Sequence, residues 1–113
     1  MNDDRTTIAE VKETIMDFAR QRGWEKSHTA LNLAVSINLE ASELLEIFQW
    51  LGQAEADRAA RETDREHFLE ELADVMIYCI ELAHAYDVDI ASAIEDKMKK
   101  NAKKYPALEG SIS

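Results

Sequence analysis

Hydrophobic residues along this chain recur at steps of three and four, the spacing of helices that bury one face. Ile8, Val11, Ile15 and Phe18 form the first such run, with Thr7 and Glu10 ahead of it at capping-box spacing and Gly23 as a stop. The pattern predicts a helix over 7–22. A second run carries Leu33, Ile37, Leu44, Ile47 and Leu51 on one face between His28 or Thr29 and Gly52, a helix of about 34 Å. A polar stretch, 53–62, follows. Thr63 and Glu66 repeat the capping-box spacing before Phe68, Val75, Cys79 and Leu82, the face of a third helix. Asp89 can cap a fourth, which ends by Tyr105 because Pro106 cannot continue it. These elements predict an all-α protein, an antiparallel four-helix bundle in a single domain over 1–113, with its core at about 7–106 and a flexible tail over 107–113.

Composition agrees with that reading. Only three Gly and one Pro punctuate 113 residues, too little turn chemistry for an all-β fold. Scaling laws allow a folded chain of this mass to bury about two-thirds of its extended surface, leaving roughly 6,300 Å² exposed. No apolar run approaches the ~20 residues of a membrane span. The acidic stretch Met1-Asn2-Asp3-Asp4 is unlike a secretory leader, and a lone Cys79 has no intrachain disulfide partner, so a reducing cytoplasm is expected. Cys79 itself reads as a small buried hydrophobe. A formal net charge of -10 argues against nucleic-acid binding.

One pattern resists a purely structural reading. At 100° per residue, Glu40 and Glu43 lie ~60° apart in the sector of Leu33, Leu44 and Ile47. Glu71 and Asp74 repeat the arrangement beside Phe68, Val75, Tyr78 and Leu82. Acidic pairs are common in so acidic a chain and mostly face solvent, but four carboxylates turned to one interior would repel or take up protons. A cation resolves the conflict. Oxygen donors without Cys, and without His on the same face at ligand spacing, suit Mg²⁺ or Mn²⁺ rather than Zn²⁺. Charge is also segregated: residues 40–96 hold 16 acids and three bases, while 97–104 holds five lysines and no acid. Lys97, Lys100, Asn101 and Lys104 share one face of the fourth helix, where they could meet an anionic ligand or simply favour the helix dipole.

The run Leu39-Glu40-Ala41-Ser42-Glu43-Leu44-Leu45-Glu46-Ile47-Phe48-Gln49-Trp50, followed by Glu70-Glu71-Leu72-Ala73-Asp74-Val75, resembles the paired Glu-x-x-Glu and Glu-x-x-Asp signature of MazG-like nucleoside triphosphate pyrophosphohydrolases. The dCTP pyrophosphatase branch is the nearer likeness, through Arg22-Gly23-Trp24-Glu25 with His28 and Asn32, Val75-Met76-Ile77-Tyr78, and Lys97-Met98 with Asn101 and Lys104-Tyr105-Pro106. The similarity spans about 20–106. It implies Mg²⁺-dependent hydrolysis between the α and β phosphates of a nucleoside triphosphate, dCTP or a modified dCTP, with Glu40, Glu43, Glu71 and Asp74 as metal ligands. Either Glu40 or Glu43 would accept the proton of the attacking water. The resemblance further implies that Trp24, His28, Trp50 and Tyr78 enclose the base, that Lys97, Asn101 and Lys104 contact phosphates, and that the protein is a homo-oligomer, a tetramer or a dimer, with sites near the subunit interface. Asn32, polar on a largely apolar face, suits a hydrogen bond to base or sugar. Leu31 and Leu39 depart from the branch, in which a basic residue and a glycine often stand at these positions.

Other candidates read as structural. Glu81 and His84 have Glu-x-x-His spacing, but di-iron bundles use two copies, and both residues fall away from the Phe68, Val75 and Leu82 stripe toward solvent. Glu46 and Glu70, further round their helices, could support the site or simply face solvent, and His67 reads as a surface or satisfied histidine. The competing functional reading is a non-catalytic helical dimerisation or partner-binding module, in which the four acids would be exposed and indifferent to metal.

Overall fold

A computed structural model describes residues 1–110. Among these it is all helical: α1 (Ile8–Gln21), α2 (Ala30–Glu46), α3 (Gln53–Arg58), α4 (Arg65–Ala85) and α5 (Ile90–Lys104), with a 3₁₀ turn at Glu25–Ser27 and a π turn at Ala59–Thr63. No helix among them is long and apolar enough to cross a membrane. Of the tail expected beyond Pro106, residues 107–110 are exposed; residues 111–113 lie outside the described residues.

Three of the expected caps form. The Glu10 amide donates to Thr7 Oγ1 at 3.1 Å while the Thr7 amide donates to Glu10 Oε1 at 2.9 Å. Thr29 accepts from the Asn32 amide at 3.2 Å, and Asp89 from the Ser92 amide at 2.9 Å. Gly23 ends α1 in the left-handed region, φ +66°, with the Trp24 and Gly23 amides returning to Ala19 and Arg20 carbonyls, a Schellman motif. The same motif closes α4, where the Val88 and Asp87 amides return to Ala83 and His84, but the left-handed residue is Asp87 at φ 55°.

The expected capping box at Thr63 does not form. The stretch 53–62 is helical, as its Gln, Ala, Glu and Arg residues favour. Thr63 therefore lies inside a helical run, and Asp64 turns its carboxylate to His67 Nδ1 at 3.3 Å instead of capping α4. Regular α2 ends at Glu46, and Ile47–Leu51 continue it as tighter turns.

Helices α2 and α4 are antiparallel. Phe48, just past the end of α2, meets Phe68 near the start of α4 edge to face at 5.8 Å, and the Tyr86 hydroxyl past the end of α4 accepts the Ala30 amide at 2.8 Å. Helix α1 covers the other side of α4, burying Met16 and Ala19. Facing two partners, α4 turns a wide sector inward, centred on Asp74 and Tyr78. That rotation corrects two expectations: Cys79 is exposed, and Glu81 is buried, only 6% accessible.

The fourth long helix, α5, has no extensive packing against any other element, and all its residues except Ile90 and Asn101 are exposed. The chain is correspondingly open. Its radius of gyration is 17.1 Å, where a compact chain of this length has about 13 Å. Its accessible surface is 9106 Å² against the roughly 6,300 Å² expected, so about half, not two-thirds, of the extended surface is buried.

Candidate active site

The two i, i+3 acidic pairs lie on the facing sides of α2 and α4, where antiparallel packing brings them together. One carboxylate oxygen each from Glu40, Glu43 and Glu71 lies within 4.8 Å of the others. Asp74, half-buried one turn further along α4, stands outside that tight group, yet its charge is felt by both Glu40 and Glu71. Glu43 is exposed and lies beside both neighbours, whose carboxyls feel its charge. Of the two readings open for Glu46 and Glu70, the structure gives the solvent-facing one: both are exposed.

The cluster is electrostatically unsatisfied without a cation. Burial, then the hydrogen bond and charge of Glu43, raise the Glu40 carboxyl from 4.5 to about 7. Burial and Glu43 also raise Glu71, though His67, 3.4 Å from its Oε1, pulls it back. Glu40 Oε2 and Glu71 Oε2 are buried with no hydrogen-bond partner. Orphaned, acceptor-only oxygens converging from two helices fit a hard divalent cation.

A consequence is measurable in the metal-free protein. Because Glu40 keeps its proton in the folded chain up to about pH 7 while the unfolded chain loses it near 4.5, its stabilising contribution is full below 4.5 and lost as pH rises through about 7. In chelator, the melting temperature is expected to fall by several degrees from about pH 5 to about pH 8, and Mg²⁺ at the upper pH to restore it. A melting temperature independent of both pH and Mg²⁺ would contradict this account of the cluster.

Next to the cluster opens a cleft of about 670 Å³ between α1, the Glu25–Ser27 turn, α2 and α4. Asp74 stands at one end. Phe18 and Trp24, edge to face at 5.6 Å, and Tyr78 supply its aromatic walls; Ser27, His28, Asn32 and Glu81 supply polar groups. Asn32 is steadied by donating from Nδ2 to the Ser27 carbonyl at 3.1 Å. His28 Nε2 lies 3.5 Å from Glu81 Oε2, while its Nδ1 is buried without a partner.

Within one chain the structure thus gathers Glu40, Glu43, Glu71, Asp74, Trp24, His28, Asn32 and Tyr78, and leaves the remaining expected site residues apart. Trp50 is 87% exposed beyond α2, outside the cleft. Lys97, Asn101 and Lys104 ride on α5: Lys97 borders a shallow apolar depression with Ile94 and Met98, and Lys104 lies over the Tyr105 ring. Glu81 is the residue the sequence reading turned outward. Its signal was present in the steps of three, four and three that join Glu71, Asp74, Tyr78 and Glu81 into one stripe.

Known proteins resemble this chain in sequence and in fold. The MazG-like family model matches residues 35–113. The dCTP pyrophosphatase 1 of Rattus norvegicus is 37% identical over 101 residues, 88% of this chain and 59% of that protein. Its counterpart in Homo sapiens is 35% identical over 102 residues, 89% of this chain and 60% of that protein. This chain therefore spans about three-fifths of the length of these curated relatives. A pyrophosphatase from Archaeoglobus fulgidus of known crystal structure superposes with a TM-score of 0.83 at 37% identity, covering 95% of this chain and 99% of that chain. Sharing that fold, carrying the paired acidic motifs on facing helices and matching the family over most of its length, the chain belongs to the MazG-like family.

Proposed function

We propose that this protein is a Mg²⁺-dependent nucleoside triphosphate pyrophosphohydrolase that converts dCTP, or a dCTP modified on its base, to the monophosphate and pyrophosphate. The observation that carries the reading is the junction of two features: an unsatisfied carboxylate cluster and, beginning at Asp74, an aromatic cleft within the usual size of a small-molecule site.

Glu40, Glu43, Glu71 and Asp74 would hold Mg²⁺, or Mn²⁺ in its place. A divalent ion there supplies charge to the phosphate oxygens and acidifies a water. Water oxygen bonds to the α phosphorus, the bridge to the β phosphate breaks, and pyrophosphate leaves. Glu40 or Glu43 accepts the water's proton. Trp24 and Tyr78 flank the base, and Asn32 bonds base or sugar.

Lys97, Asn101, Lys104 and Trp50 reach no part of their own cleft, so the reading extends to a homo-oligomer, a dimer or tetramer, in which these residues serve a neighbour's substrate. The open shape and the unsupported α5 favour it. Localisation in the cytoplasm, where nucleotide pools lie, follows from the same reading.

The test is a panel of nucleoside triphosphates incubated with Mg²⁺ and resolved by anion-exchange chromatography. The expected products are a monophosphate and pyrophosphate in equal amounts, with dCTP among the best substrates. Release of orthophosphate with a diphosphate would overturn the cleavage position, and turnover of nothing in the panel would favour a non-catalytic binding module.

A further inference from the structure

We propose that Glu81, held by His28, is the specificity-determining group of the cleft, reading the exocyclic amino group of the substrate's base. The proposal rests on the function given above and assigns its base selectivity to a residue outside the metal cluster.

Position supports the assignment first. Asp74, Tyr78 and Glu81 follow one another at steps of four and three on α4, which places Glu81 about 10 Å beyond Asp74 along the helix axis. That matches the span from an α phosphate across a sugar to the far edge of a pyrimidine. A nucleotide with its phosphates at the carboxylate cluster and its ring beside Trp24 and Tyr78 therefore presents that edge to Glu81.

Burial supports it second. Glu81 is the one charged residue among the described residues that is fully buried, and it lines the cleft. A carboxyl so placed needs partners, and His28 Nε2, 3.5 Å from Glu81 Oε2, is the basic group that faces it. Burial pushes the Glu81 carboxyl up, and the charge of His28 pulls it back. His28 is itself 91% buried by its side chain and leaves Nδ1 unpartnered, so the pair does not satisfy itself.

Chemistry supplies the selectivity. An ionised carboxylate only accepts hydrogen bonds. It pairs with the N4 amino group of cytosine, while uracil sets its O4 acceptor against a second acceptor. Sites built around a buried polar group reject a mismatched analogue far more strongly than apolar pockets do. His28, with Nε2 3.5 Å from Glu81 Oε2, has the supporting role of keeping the carboxylate in place.

The experiment compares kcat/KM for dCTP and dUTP, with Mg²⁺, in the full chain and its Glu81→Gln and Glu81→Ala variants. Gln keeps the side chain's size and can turn an amide N–H toward O4, so the fold is preserved while the acceptor-only character is lost. The preference for dCTP is expected to narrow at least about tenfold in Glu81→Gln, mainly through KM. Wild-type protein that hydrolyses both substrates equally, or a preference unchanged in two variants with native melting curves, would overturn the proposal. Calorimetric titration with dCMP and dUMP separates it from the proposed activity. Should no triphosphate be hydrolysed, the activity fails, while weaker dCMP preference in Glu81→Gln still supports the assignment and unchanged preference rejects it.

Discussion

Replacing Glu43 with Ala is expected to lower kcat for dCTP by about 10²- to 10³-fold without destabilising the metal-free protein. The two halves of that expectation come from one observation. Glu43 lies beside both Glu40 and Glu71 and is exposed, so its removal costs little packing and relieves repulsion among the half-buried carboxyls. The Glu40 carboxyl, raised to about 7 partly by Glu43, should move back toward its ordinary range, a change visible by NMR in the apo protein. Catalysis suffers because the remaining oxygens no longer complete a cation's coordination. Asp74→Ala should lower turnover alike. Turnover persisting in both variants, measured as pyrophosphate release, would dissociate the cluster from the reaction.

Introducing Asp at Ile94 and Met98 together is expected to convert an oligomer to single chains and to reduce turnover by a factor of ~100 or more. Both side chains are more than half exposed on α5, one helical turn apart, on a helix with no extensive packing against the other described elements. The surface in excess of a compact monomer, roughly 2,800 Å² per chain from 9106 Å², doubles over a pair of chains to the upper end of what obligate interfaces bury in total. Activity should fall with assembly because Lys97, Asn101 and Lys104 share that helix and lie outside their own cleft. Analytical ultracentrifugation decides the matter: wild-type protein sedimenting as a 12.9 kDa species at micromolar concentration would refute the shared site.

What could be read in advance depended on whether a residue's role was local. Thr7, Thr29, Asp89 and Gly23 act within a few residues of themselves, and their caps and stop are found as the spacing predicts. The acidic pairs were equally legible, since an i, i+3 step defines a shared face whatever lies opposite. The direction in which α4 turns that face was not, because it depends on α1 as well as α2; Glu81 and Cys79 were misplaced for this reason. Residues 53–62 were read by their polarity, and their helix propensity prevailed. The position of α5 could not be derived from a pattern of faces within one chain, because its apolar side packs extensively against no other described element.

The corner between α4 and α5 bears on how such chains would assemble. Both amides of its Schellman motif are bonded back to α4, and its left-handed residue is an aspartate, which has fewer backbone alternatives than the glycine usual at that place. The projecting helix is therefore aimed before any neighbour arrives. Two copies would meet as preformed bodies, with the ordering entropy of the arm already met during folding, and association would be governed by orientation at encounter rather than by a disorder-to-order step.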